Sequence, residues 1–232
     1  MSVTEPPPMS RATATGYAIG LPLALVALVF GPVGRLDWLP GWRFIVFLVV
    51  VYGIAAWVLA RVNPVIFRAR SRFQPGTERW DLILLALMLP AMLLEIPLAA
   101  LDAGRMMWST VPPAIVLLGY VLLGAGIALG AWAQAVNRFF EPGVRLQRER
   151  GQQVISTGPY AIVRHPGYVS AFMVFAGLAL ALGSYWALVP AAVASAILIV
   201  RTAWEDALLR ARLDGYAAYA GRVRYRLLPG VW

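Results

Sequence analysis

Long apolar runs separated by short arginine-bearing segments make up most of this chain. Residues 16–33, 42–60, 80–101 and 111–136 each approach the roughly 20 apolar residues that carry an α-helix across a bilayer, and each predicts a membrane helix. The next run, 168–200, is too long for one crossing. Its 33 residues would reach about 50 Å at 1.5 Å per residue, against a hydrocarbon core of about 30 Å. Gly183-Ser184 lies near its middle and is a turn signal. Two short antiparallel helices, 168–182 and 185–200, are therefore predicted, giving six segments; one bent helix, giving five, is the alternative. Beyond Val200, the residues Trp204, Ala207, Leu208 and Ala211 recur at helical spacing among Glu205, Asp206, Arg210 and Arg212. That spacing predicts an amphipathic helix at the interface. The expected fold is all-α, a polytopic transmembrane helical bundle whose last two membrane segments form a hairpin, followed by a C-terminal interfacial helix.

Composition agrees. The chain is 60% hydrophobic and 13% charged, whereas charged residues make up about a quarter of a soluble domain. One integral-membrane domain over 1–232 is expected, with N-terminal transmembrane helices in 1–136. The net charge of +9 comes from 20 arginines and no lysine against 11 acids. In a soluble protein it would suggest nucleic acid. Here the arginines collect in a few segments, which points to retention beside anionic headgroups and to no nucleic-acid partner. The 61–79 loop carries Arg61, Arg68, Arg70, Arg72 and Arg79; the 137–167 segment carries Arg138, Arg145, Arg148, Arg150 and Arg164; six more follow from Arg201. The 34–41 and 102–110 loops carry one each, Arg35 and Arg105, and the turn at 183–184 none. Six crossings with both termini cytoplasmic put every rich segment inside, as expected of a multi-pass protein of the cell (inner) membrane. The first 15 residues are Pro- and Thr-rich with one arginine, unlike a cationic signal peptide, so the first apolar run is expected to be retained. One histidine and no cysteine exclude disulfides and thiol chemistry, and cannot make the usual zinc ligand set. No metal is expected.

The candidate chemistry lies where the polar 137–167 segment meets the fifth run. Pro166 forces His165 out of helical geometry and suits the first turn of the helix that follows. Arg164 and His165 then stand beside that helix's free N–H groups, a place that favours a carboxylate or phosphate. Gly158-Pro159 supplies a turn just before, and Tyr160 and Tyr168 offer rings and hydroxyls. If the hairpin folds back, Arg201, Glu205 and Asp206 return to the same face. The pocket would then have a cationic wall and an anionic one, which suits a zwitterion with an apolar or aromatic part, such as a nucleotide amino acid. Each feature also has an ordinary reading: Arg164 as a headgroup arginine, and Glu205 and Asp206 as helical partners of Arg201 and Arg210. Glu95, inside the third run, is costly unless it faces a cavity or a partner.

These residues resemble the isoprenylcysteine carboxyl methyltransferase and phospholipid N-methyltransferase superfamily. The likeness runs from Asn137 through Asn137-Arg138-Phe139-Phe140, Val144-Arg145-Leu146-Gln147, Gly158-Pro159-Tyr160, Val163-Arg164-His165-Pro166-Gly167-Tyr168, Leu182-Gly183-Ser184, Arg201 with Glu205-Asp206, and Gly215-Tyr216-Ala217-Ala218-Tyr219. The first 136 residues share only their transmembrane character. The resemblance implies a C-terminal cofactor-binding catalytic region, 137–232, that binds S-adenosylmethionine (S-adenosyl-L-methionine) through Tyr160, Arg164, His165, Tyr168, Glu205 and Asp206. Arg201 and Glu205 are the candidate catalytic pair. Asp206 stands where a second glutamate is usual. A lipophilic small-molecule or prenylated acceptor would enter from the membrane lipids.

Isoprenylcysteine-type O-methylation ranks first; a phospholipid amine, an isoprenoid or a small thiol would suit the same pocket. A membrane sterol-type reductase using NADPH is weighed against it, but Gly167 replaces the asparagine of that family's Arg-His-Pro-Asn-Tyr segment. A non-enzymatic membrane protein is the remaining alternative.

Overall fold

In the computed structural model, residues 11–71 and 73–232 are described. Arg72 and most of the Pro- and Thr-rich leader, on which the retention expectation partly rests, lie outside them. Among the described residues every regular element is helical. Six long helices, α1 (Arg11–Val33), α2 (Leu39–Val62), α4 (Arg79–Leu101), α5 (Pro113–Val136), α6 (Pro166–Ala181) and α7 (Leu188–Arg212), run alternately up and down, with a single turn α3 (Ile66–Ala69) and a short α8 (Tyr216–Arg222). Four are long and apolar enough to cross a membrane: α2, α4 with the turn that extends it to Met106, α5 and α7; α6 and the apolar part of α1 are shorter. Their outer faces carry exposed Val46, Val50, Ile54, Ile83, Leu87, Leu94 and Val121. An apolar exterior of this kind suits contact with lipid.

The predicted hairpin is present, and its turn uses both residues that signalled it. Gly183 takes φ +79, a left-handed conformation that costs glycine little. The Gly183 and Ser184 N–H groups cap the end of α6 on Leu180 O and Ala179 O, each at 3.0 Å. The Ser184 hydroxyl then donates to Asp102 at 2.5 Å and accepts from the Ala187 N–H at 3.1 Å. Asp102 also accepts from the Ser109 N–H at 2.8 Å and hydroxyl at 2.6 Å, so this buried carboxylate is held by neutral donors. The 204–211 periodicity is helical too, but it forms the last turns of α7, with no break at Val200. The separate C-terminal helix is α8.

Close backbone approach locks α5 to α6. A Cβ at Gly177 would lie 2.6 Å from Leu123 N, and one at Gly119 2.3 Å from Ala181 N. Small residues at such crossings let membrane helices pack where no hydrophobic force separates helix from lipid. Ser170 Oγ adds a hydrogen bond to Gly126 O at 2.7 Å. Glu95 is buried on α4, and its Oε1 has no partner among the described residues. The loops rich in arginine, 61–79 and 137–167, gather with the end of α7 at one end of the bundle, where Trp80 meets Trp204 edge-on at 5.4 Å.

Candidate functional site

Residues 137–167 form the floor of this end. Asn137 ends α5 and donates through Nδ2 to the Tyr160 hydroxyl at 2.9 Å. Its Oδ1 accepts from the Phe139 N–H at 2.9 Å. Glu141 holds Arg145 at 2.7 Å and Arg150 at 3.2 Å, knitting the loop together. Gly158, at φ +58, starts the turn Gly158–Ala161 that buries Tyr160. Tyr219, on α8, donates to Tyr160 O at 2.7 Å. Burial and the adjoining Glu205 charge keep the Tyr160 hydroxyl above its ordinary range, and burial pushes Tyr219 up to about 12. Both stay protonated.

Asp206 is the hub of a buried ion cluster. Arg164 meets its two oxygens at 2.7 and 3.1 Å, Arg210 and Arg226 each reach Oδ2 at 3.0 Å, and the Tyr216 hydroxyl donates to Oδ1 at 2.9 Å. Burial and that carboxylate hold the Tyr216 hydroxyl above its usual range. Arg164 spends further donors on Val223 O at 2.8 Å and Arg224 O at 2.6 Å. Its backbone N–H and that of His165 bond Tyr225 O and Arg226 O at 3.0 Å. The C-terminal tail is thus strapped over the Arg-His-Pro segment. A buried pair with this many partners is costly to break from either side.

Pro166 starts α6 and His165 caps it with φ −124, as the proline requires. The His165 ring stacks on Tyr168 with centroids 5.6 Å apart, and its Nε2 lies 3.4 Å from Asp206 Oδ1. The Tyr168 hydroxyl donates to Glu205. Both are only half-buried. Arg201 pairs with Asp81, not with Glu205: its Nε and Nη2 reach the two Asp81 oxygens at 2.6 and 3.1 Å, and Nη2 also reaches Pro142 O at 2.7 Å. Its guanidinium lies 5.3 Å from the Tyr168 ring centre. Asp81 accepts from the Val144 N–H as well, at 2.7 Å.

All the sequence-derived candidates therefore lie at one end of the bundle, with unequal freedom. Tyr168 and Glu205 keep accessible surface, while Arg164, His165, Arg201 and Asp206 are buried. Arg164 and Asp206 have most of their bonding capacity occupied by the protein. Sequence reasoning missed Asp81, Tyr216 and Arg226. Asp81 carried a usable signal, a carboxylate in the first turn of an otherwise apolar membrane helix.

An all-helical membrane bundle with a polar, carboxylate-bearing cluster at its arginine-rich end is the class this geometry defines. Residues 114–213, from the start of α5 to just past α7, match the phospholipid methyltransferase family model. That stretch is under half of the chain, and in it the chain is similar to the phospholipid methyltransferase family, which supports a membrane methyltransferase. It begins upstream of the motifs that suggested the likeness, taking in α5, and ends before the Gly215–Tyr219 segment. No curated protein matches the chain.

The donor set fits S-adenosylmethionine. Glu205 is an accessible carboxylate for its ammonium. Arg164 is committed elsewhere, and His165 is buried with its Nε2 toward Asp206.

Proposed function

We propose that the protein transfers the methyl group of S-adenosylmethionine to a lipophilic acceptor, most like the isoprenylcysteine O-methyltransferases. The observation that carries this reading is the half-buried Tyr168–Glu205 pair beside His165, inside the stretch that matches the family. The cofactor supplies an already activated methyl group. The protein's task is then to orient the acceptor and to keep water away. Glu205, fixed by Tyr168, holds the cationic end of the cofactor. Tyr168 in turn is held between His165 and Arg201. Asp81 and Asp206 keep the two buried arginines from competing for Glu205. A carboxylate acceptor attacks without losing a proton, so this site needs no further base for O-methylation. The arginine-rich end would face the cytoplasm, by the positive-inside rule.

The test is a labelled-methyl screen. Detergent-purified protein is incubated with labelled S-adenosylmethionine and separate pools of prenylated thiol carboxylates, phospholipid amines and small thiols. Label in the prenylated carboxylate pool, as base-labile methyl ester, is the expected result. Label only in the amine pool would replace O-methylation by N-methylation, and no label in any pool would remove the reading.

A further inference from the structure

Arg70 differs from the other arginines around this cluster. It ends the single turn α3 and lies 5.0 Å from the centre of the Phe140 ring. Phe140 in turn presses on the start of α6, where a Cβ at Gly167 would come within 2.7 Å of its ring. Phe140 thus connects Arg70 to the residue before Tyr168. Arg201 reaches the same place from α7, 5.3 Å from the Tyr168 ring centre. Arg70 has no carboxylate partner among the described residues, whereas Arg201 has Asp81 and Arg164 has Asp206.

Arg70 is also both accessible and hemmed in. Its side chain keeps exposed surface, yet surrounding protein and then the Arg201 charge pull its guanidinium below the ordinary arginine range. Arg70 thus stands at an accessible edge of the arginine-rich end, beside Phe140. Charge balance says what is missing. Arg70 and Arg201 are matched by Asp81 and Glu205, but the adjoining cluster sets Arg164, Arg210 and Arg226 against Asp206 alone, so this end is net positive when empty. S-adenosylmethionine adds one net positive charge, and an acceptor oxyanion would offset it.

We propose that Arg70 binds the oxyanion of the acceptor, a lipid-tailed carboxylate or phosphodiester entering between Phe140, Tyr168 and Arg201. As an acceptor site this rests on the methyltransferase reading. The arginine supplies paired donors on a cation, the geometry that suits both oxyanions. Its partner on the acceptor is the anion, and the tail stays in lipid. A headgroup arginine of the bland kind would attract every anion equally and loosely.

The experiment compares wild type, Arg70→Ala and Arg70→Lys as full chains in neutral maltoside detergent. Binding is read for farnesylthioacetate against its methyl ester, and for lysophosphatidylethanolamine against a monoacylglycerol of equal chain length. S-adenosylhomocysteine binding is measured on the same samples. In one of the two arms, wild type is expected to prefer the probe that bears the oxyanion by roughly tenfold, as for one charge-assisted hydrogen bond. Arg70→Ala loses that preference, Arg70→Lys keeps part of it, and all three bind S-adenosylhomocysteine alike. The arm that responds identifies the acceptor as carboxylate or phosphodiester. An equal preference in wild type and Arg70→Ala, or none in wild type, overturns the proposal even if S-adenosylhomocysteine binds. If the preference depends on Arg70 but no S-adenosylhomocysteine binds, the oxyanion site stands and the methyltransferase reading falls.

Discussion

Glu205 and Asp206 are neighbours in sequence and opposites in situation. Asp206 is fully buried and meets three arginines and a tyrosine. Glu205, one residue earlier on the same helix, is half-buried and has Tyr168 as its one hydrogen-bond partner among the described residues. A carboxylate whose bonding capacity is filled by the protein can only hold the fold together. One that is fixed in place but incompletely bonded can receive a ligand. The same distinction separates Arg164, which clamps the C-terminal tail, from Arg70, which is exposed beside Phe140 without a carboxylate of its own among the described residues.

The largest effect expected from breaking this contrast is at Asp206. Asp206→Asn would leave Arg164, whose side chain is 2% exposed, a cation without its anion. Loss of one partner of a buried pair costs about 3–5 kcal/mol. Thermal unfolding in detergent should show a sharply lowered midpoint, and a midpoint within about 2 °C of wild type would contradict the structural role. Gly167→Val comes next. Its side chain collides with Phe140, and overpacking of this kind costs about 1–3 kcal/mol. It should also weaken acceptor binding, because Phe140 carries Arg70; unchanged stability would contradict the contact.

A smaller change in free energy, but one confined to function, is expected at the other member of the contrast. Glu205→Gln and Tyr168→Phe should leave thermal stability near wild type and weaken S-adenosylhomocysteine binding by about tenfold each, one charge-assisted contact being worth about 1.5–3 kcal/mol. Loss of stability equal to that of Asp206→Asn would erase the distinction drawn here. The smallest effect belongs to the far end of the bundle. Ser184→Ala removes one of the neutral donors on Asp102 and should cost about 1 kcal/mol without altering ligand binding.

The helices were legible because a membrane helix announces itself by length and apolarity, and the 168–200 run could be divided because Gly183-Ser184 is chemically unlike its surroundings. The motif residues were legible too, down to the helix start at Pro166. What escaped was how these groups are partnered. Arg201 and Asp81 are 120 positions apart, and local helical spacing offered Glu205 instead. Arg164 is consumed partly by the carbonyl oxygens of Val223 and Arg224. Any residue supplies a carbonyl, so side-chain chemistry carries no trace of that role. The break expected at Val200 is missing for a related reason. Polar positions from Arg201 to Asp206 turn inward to Asp81 and Arg164, so α7 continues where the sequence suggested a change of surroundings.

Calorimetric titration of S-adenosylhomocysteine into wild type, Glu205→Gln and Arg164→Lys, with NADPH as a parallel ligand, tests the central claim most directly. Wild type is expected to bind S-adenosylhomocysteine and not NADPH, Glu205→Gln to bind it more weakly at unchanged stability, and Arg164→Lys to lose stability first. Binding of NADPH alone, or of S-adenosylhomocysteine with full affinity in folded Glu205→Gln, would contradict that claim.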